Sequence, residues 1–247
     1  MIAVVSPPAY YASVAIATAT CATLCIAARR HPGPWTTVAA DLIGAVLALT
    51  AVSYTVELIR QGTWSAGSSL PLALCNMAVL VTIAACWTRI PVLMELTWFW
   101  GMAGTLQGVL TPDLTVSFPH LVFFEYVVGH TTIVVAAMFL VVGMRNYPRA
   151  GAVPRVLAIS AGYTAFVGFV DAVTGADYMF LRSPPDNWTI LRLLGPWPWY
   201  IATAALVGVV LFTLLDMPFW AGRRRGDHSR ARACAGPSNL RGAAGSA

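Results

Sequence analysis

The chain has 247 residues, 58% of them hydrophobic and only 10% charged, with a mean hydropathy of +0.71. A water-facing surface normally needs about a quarter of the residues charged, so a soluble domain is excluded and lipid becomes the natural solvent for the apolar excess. The net charge of +5 is placed wrongly for nucleic acid: every basic residue is an arginine, and six of them lie at or beyond Arg223, directly after an apolar run, as suits an anchor beside anionic lipid.

Crossing a bilayer as a helix takes about 20 mostly apolar residues, and seven stretches qualify. They are Ala9–Ala28, Ala39–Ile59, Pro71–Trp87, Pro91–Leu110, Val122–Met144, Pro154–Thr174 and Pro198–Trp220. The expectation is therefore an all-α, polytopic membrane bundle of about seven transmembrane helices over residues 1–220, followed by a disordered basic cytoplasmic tail, 221–247. The first stretch follows an N-terminus without positive charge, so it reads as a retained helix rather than a signal peptide. It carries Cys21 and Cys25 one turn apart, without the histidines or carboxylates a metal site needs. No metal and no other cofactor is expected.

Numbered alternately from an outside N-terminus, the inside segments hold twelve arginines and the outside segments only Arg60, Arg182 and Arg192. The positive-inside rule then places the N-terminus outside and the C-terminus in the cytoplasm. With that orientation Cys75 lies roughly 6 Å below the outer end of the third stretch, and His130 roughly 12 Å below that of the fifth. Glu57, Gln107, Glu125, Tyr126 and Asp171 gather in the same outer half. The inner half holds Asp41, Glu95 and Asp216, each near a helix end where a neighbouring arginine can satisfy it.

Ionisable groups inside spans are costly and face the bundle interior or an aqueous cavity. The outer set holds a thiol and the sole intramembrane imidazole. A thiol is strongly nucleophilic once deprotonated, and histidine exchanges a proton near neutral pH. Cys75 and His130 would form a nucleophile–base pair for acyl transfer; simple burial of the cysteine and a carbonyl-bonded ring are the bland alternatives. Glu125 lies about 140° around the helix from His130, so Asp171 is the better third member, and Gln107 or a free helix-terminal N–H would meet the oxyanion.

The outer loops are unusual. Trp197, Trp199 and Tyr200 suit a membrane–water interface. The run from Tyr178 to Leu181 is too apolar for a free loop, and is expected either to dip back as a lid or to pack at the interface. Arg182 and Arg192 would hold a phosphate head group or brace the loop against Asp177 or Asp186. Glu125, Tyr126, Tyr178, Arg182, Arg192 and Trp199 complete the substrate-contact candidates. A sequon at Asn187 matters only in a secretory pathway.

The blocks LPLALCNMA (70–78), ELTWFWGMAGTLQGVLTPDL (95–114), FPHLVFFEYVVGHTTIV (118–134), GADYMFL (175–181) and GPWPWY (195–200) resemble the YwaF-type bacterial integral membrane proteins. More distantly they are similar to a eukaryotic transmembrane acyltransferase that remodels ether phospholipids through a cysteine acyl-enzyme. The resemblance implies a multi-pass protein of the bacterial plasma membrane with Cys75 as nucleophile, His130 as its partner and Gln107 beside them. Its partners would be membrane lipids, with a phospholipid or lysophospholipid as substrate and no nucleic acid. Two positions depart from the family pattern: Ala73 stands where a histidine is usual, and Asp177 where an asparagine is. An acyltransferase or lipid hydrolase is the leading reading; a transporter or channel for a small solute, and a sensing or assembly protein, are the alternatives.

Overall fold

Proline and glycine punctuate the chain where the helices change direction. The computed structural model describes residues 7–112, 114, 116–183 and 194–234, with side chains as far as 223. Seven helical elements follow in order, and no strand occurs among the described residues. They are α1 (Pro7–Arg30), α2 (Trp35–Arg60), α3 (Leu74–Thr88), α4, α5 (Leu121–Gly143), α6 (Ala152–Thr174) and α7 (Trp199–Cys234). Helix α4 runs Pro91–Trp100, passes through a π-helical stretch at Gly101–Thr105 and resumes as Leu106–Leu110. The C-terminal turns of α5 are also π-helical, at Phe139–Gly143.

Five of these helices are long and apolar enough to cross a membrane: α1, α2, α5, α6 and α7. Helix α3 has only 15 residues, and the π stretch interrupts α4. Helix α7 continues past Trp220 to Cys234. The arginines and alanines there are strong helix formers, and the next proline is Pro237. The rest of the expected tail lies outside the described residues.

Burial sorts the helices into centre and rim. From Met94 to Trp100 every residue of α4 is buried, as expected of a helix apolar all round. Its side chains form the main core with Leu47 of α2, Ile83 of α3, Ile133 and Val141 of α5, Val156 of α6 and Phe212 of α7. Helix α5 is also largely enclosed, with α1 and α2 packed on it. By contrast α1, α2, α6 and α7 expose broad apolar faces, including Ile16, Leu49, Phe169 and Leu206. In water such faces would be untenable; in lipid they need no cover.

The two ends of the bundle differ chemically. At one end three acids pair with arginines, as the sequence led one to expect. Glu95, 3% exposed, accepts from Arg149 Nε at 2.9 Å and Arg155 Nη1 at 2.7 Å, tying α4 to the α5–α6 link and to α6. Hydrogen bonding to Glu95 holds the Arg149 guanidinium above its ordinary pKa. Asp41 pairs with Arg89 and Asp216 with Arg223. The opposite end holds the start of α3, the start of α5 and the 175–183 segment.

Candidate active site at the start of the third helix

Helix α3 begins three residues later than its proline suggests. Leu72 N–H turns back to Leu70 O at 2.7 Å, and two tyrosines from elsewhere hold that bend. Tyr163 of α6 donates to Leu72 O at 2.8 Å. Tyr178 donates to Ala66 O at 2.9 Å and accepts from Leu70 N–H at 3.1 Å. Ala73 is thereby left extended as the N-cap, with no side chain capping the helix. Cys75 becomes the second helical residue, half-buried, in the open first turn rather than one turn deep. First-turn N–H groups lack intrahelical acceptors, and the positive end of the helix dipole favours a thiolate or an oxyanion there. Nucleophile and oxyanion donors can therefore come from one turn of chain.

His130 reaches the site from α5. Its Nδ1 lies 2.8 Å from the Tyr126 carbonyl one turn back. A carbonyl only accepts, so Nδ1 carries the proton and Nε2 keeps the lone pair of a base. The Tyr126 ring stacks on the imidazole, with centroids 4.1 Å apart, and the Tyr126 hydroxyl donates to Gly108 O at 2.9 Å. Gly108 of α4 lies against the Cδ2–Nε2 edge of the imidazole. A Cβ built there would stand 2.8 Å from His130 Cδ2 and 3.3 Å from Nε2, so the approach requires glycine. One turn earlier on α4, a Cβ at Gly104 would meet Leu74 Cδ2 at 3.4 Å. Leu74 precedes Cys75, so the start of α3 and the His130 ring rest on adjacent turns of α4. Gln107, half-buried, lies between those two glycines. Among the described residues no hydrogen bond joins Cys75 to His130; what the two elements share is α4, which Leu74 and His130 both meet.

The chain matches the model of the TMEM164 family over residues 4–216. It belongs to the TMEM164 family. This is a transmembrane family, and with five apolar helices long enough to span a bilayer the chain is a multi-pass membrane protein. No curated protein matches it, and no solved structure does.

Within this TMEM164-family fold the other sequence candidates separate. Asp171 is 1% exposed, but its Oδ1 accepts the Tyr178 N–H at 3.0 Å, and it makes no hydrogen bond to His130. The proposed third member is thus not brought to the imidazole, whose Nδ1 is already taken by the Tyr126 carbonyl; Asp171 instead caps the 178–180 turn. Tyr178 is also a correction: its hydroxyl is spent on the bend before α3, and its ring is buried among Val167, Ala176, Leu70 and Leu72. The apolar run forms a 3₁₀ turn, Tyr178–Phe180, and packs against Leu70 and Leu72 of the chain leading to Cys75.

The Arg182 backbone N–H donates to Asp177 Oδ1 at 2.8 Å, while its guanidinium Nη1 donates to Ala176 O at 3.4 Å. Glu125 is half-buried beside Tyr54 of α2, off the His130 face. Trp199 is 70% exposed at the start of α7, as an interfacial ring should be. Arg192, Asp186 and Asn187 lie outside the described residues. Gly104, Gly108 and Tyr163 escaped notice in the sequence. The G-x-x-x-G spacing of the two glycines is the usual mark of close helix approach in membranes and was the available signal; nothing local flags Tyr163.

Proposed function

We propose that the chain is a membrane-embedded Cys/His acyltransferase or lipid hydrolase acting on phospholipid acyl esters. It would be a YwaF-type member working in a bacterial plasma membrane, with seven spans and the arginine-rich end in the cytoplasm. One observation supports this reading: Leu74, which directly precedes Cys75 in an uncapped first turn, and an imidazole with its Nε2 unprotonated pack against Gly104 and Gly108 on neighbouring turns of α4.

In the first half-reaction His130 Nε2 takes the Cys75 proton, and Sγ attacks the ester carbonyl carbon. The N–H groups at the start of α3 stabilise the oxyanion, and the Gln107 amide, next to Gly108 in the chain, is assigned as a further donor. The C–O bond of the ester breaks, and the His130 proton passes to the departing lysophospholipid oxygen. A second lysophospholipid hydroxyl, or water, then gives its proton to His130 and attacks the thioester, freeing Cys75. Protonated His130 keeps its Nδ1–H bond to the Tyr126 carbonyl throughout, so the ring need not turn between steps.

The test is intact-mass analysis of protein reconstituted with phosphatidylcholine. An acyl adduct is expected that vanishes in Cys75→Ala and forms slowly in His130→Ala. Persistence of the adduct in Cys75→Ala would sink the nucleophile assignment, and an unchanged rate in His130→Ala would remove the base. A reporter at the C-terminus tests the orientation; finding it outside the cell reverses the topology.

A further inference from the structure

Helices α1 and α2 are joined by only His31–Pro34, yet they scarcely touch; each packs instead on α5. Between them the surface of α5 is bared along a cleft of about 530 Å³, within the size range of ligand pockets. Ile16 and Thr20 form one wall, Leu42 and Val46 the other, and Val128 and Thr132 the floor. The floor residues are about 160° around α5 from His130, so the cleft is on the opposite side of that helix from the candidate active site.

We infer that this cleft binds one acyl chain of a membrane phospholipid. Its length supports that occupant. On α1 the lining runs from Ser13 to Leu24 and on α5 from Phe124 to Val135, in each case roughly 16 Å at the helical rise. That matches one leaflet, about half of a hydrocarbon core about 30 Å thick. The cleft starts within a turn of the beginning of α5, so the leaflet is the one on the Cys75 side.

Volume and polarity agree with the length. A cleft of about 530 Å³ has room for an acyl chain. Two of the lining hydroxyls are spent on backbone carbonyls of their own helices. Ser13 Oγ donates to Ala9 O at 2.9 Å and Thr131 Oγ1 to Val127 O at 2.6 Å, so these side chains offer the cleft their carbon surface. An empty cleft here would forfeit dispersion contacts along three helices.

The experiment uses full-length protein in phosphatidylcholine vesicles containing a fraction of phosphatidylcholine with a diazirine in the middle of one chain. After irradiation, labelled residues are mapped by mass spectrometry. Labels should concentrate on Ile16, Thr20, Leu42, Val46, Val128 and Thr132, above the level at Leu206, Val210 and Leu214, which face lipid on α7. Thr20→Phe, at an exposed position on the wall, should cut cleft labelling about tenfold, as loss of contact equal to some two methylenes would. Ala17→Phe repeats the test from a neighbouring position, and Val210→Phe should leave cleft labelling unchanged. Equal labelling of the cleft and the α7 face, or cleft labelling that survives both fillings, would overturn the proposal. None of these readings depends on acyl transfer, so the site stands or falls apart from the proposed reaction.

Discussion

Replacing Gly108 by alanine tests how the imidazole is held. The new Cβ would stand 2.8 Å from His130 Cδ2, against an optimal carbon–carbon separation of about 3.5–4.0 Å. The ring would have to retreat by roughly 1 Å, but Tyr126 is stacked with it at 4.1 Å and the Nδ1–O bond of 2.8 Å tethers it. Breaking that bond costs about 1 kcal/mol, and overpacking in a tight contact adds about 1–3 kcal/mol. A destabilisation of about 2–4 kcal/mol is expected in thermal unfolding of the detergent-solubilised protein. A 1 Å displacement of a catalytic group also costs on the order of 10²-fold in rate, so acyl-adduct formation on Cys75 should slow by about that factor. Gly104→Ala is the control, since its Cβ meets only the mobile Leu74 methyl at 3.4 Å; it should change stability by less than about 1 kcal/mol. If Gly108→Ala unfolds and reacts like the parent, the account of the wedged imidazole is wrong.

Tyr178→Phe removes a donor from Ala66 O and an acceptor from Leu70 N–H, and should cost about 1–3 kcal/mol. It should also speed alkylation of Cys75 by a membrane-permeant maleimide; an unchanged rate would mean that Tyr178 does not hold the start of α3. Asp171→Asn keeps an oxygen to accept the Tyr178 N–H, so adduct formation should stay within about twofold of the parent. A large loss would restore Asp171 to the catalytic group. Glu95→Gln strips a buried carboxylate from two arginines. Because those guanidiniums are partly exposed, the loss should lie near the bottom of the 3–5 kcal/mol typical of broken buried pairs, about 3 kcal/mol; thermal unfolding checks it.

The helices were legible because a bilayer imposes one long apolar pattern on each. The paired acids were legible too, since Asp41, Glu95 and Asp216 each have an arginine within reach at the same end of the bundle. What the pattern could not reveal was the register of α3. Proline at position 71 suits a helix start, yet Tyr163 and Tyr178, far along the chain, bend residues 70–73 and move Cys75 into the first turn. Long-range hydrogen bonds leave no local trace in composition. The same holds for Asp171, whose depth suggested partnership with His130 but whose carboxylate is claimed by a backbone N–H seven residues on. Left-handed backbone at Met179 and Phe180, φ 60° and 57°, was likewise invisible, since neither residue favours it.

The widened stretch at Gly101–Thr105 has a consequence for everything after it on α4. A π turn takes up one residue more than an α turn, which swings the remainder of the helix about 100° around its axis. Without that extra residue, the edge now occupied by Gly108 would point toward a different neighbour, and bulk at that position would meet no imidazole. Shortening the stretch by one residue should therefore dismantle the contact between α4 and His130 while every residue that makes it is still present.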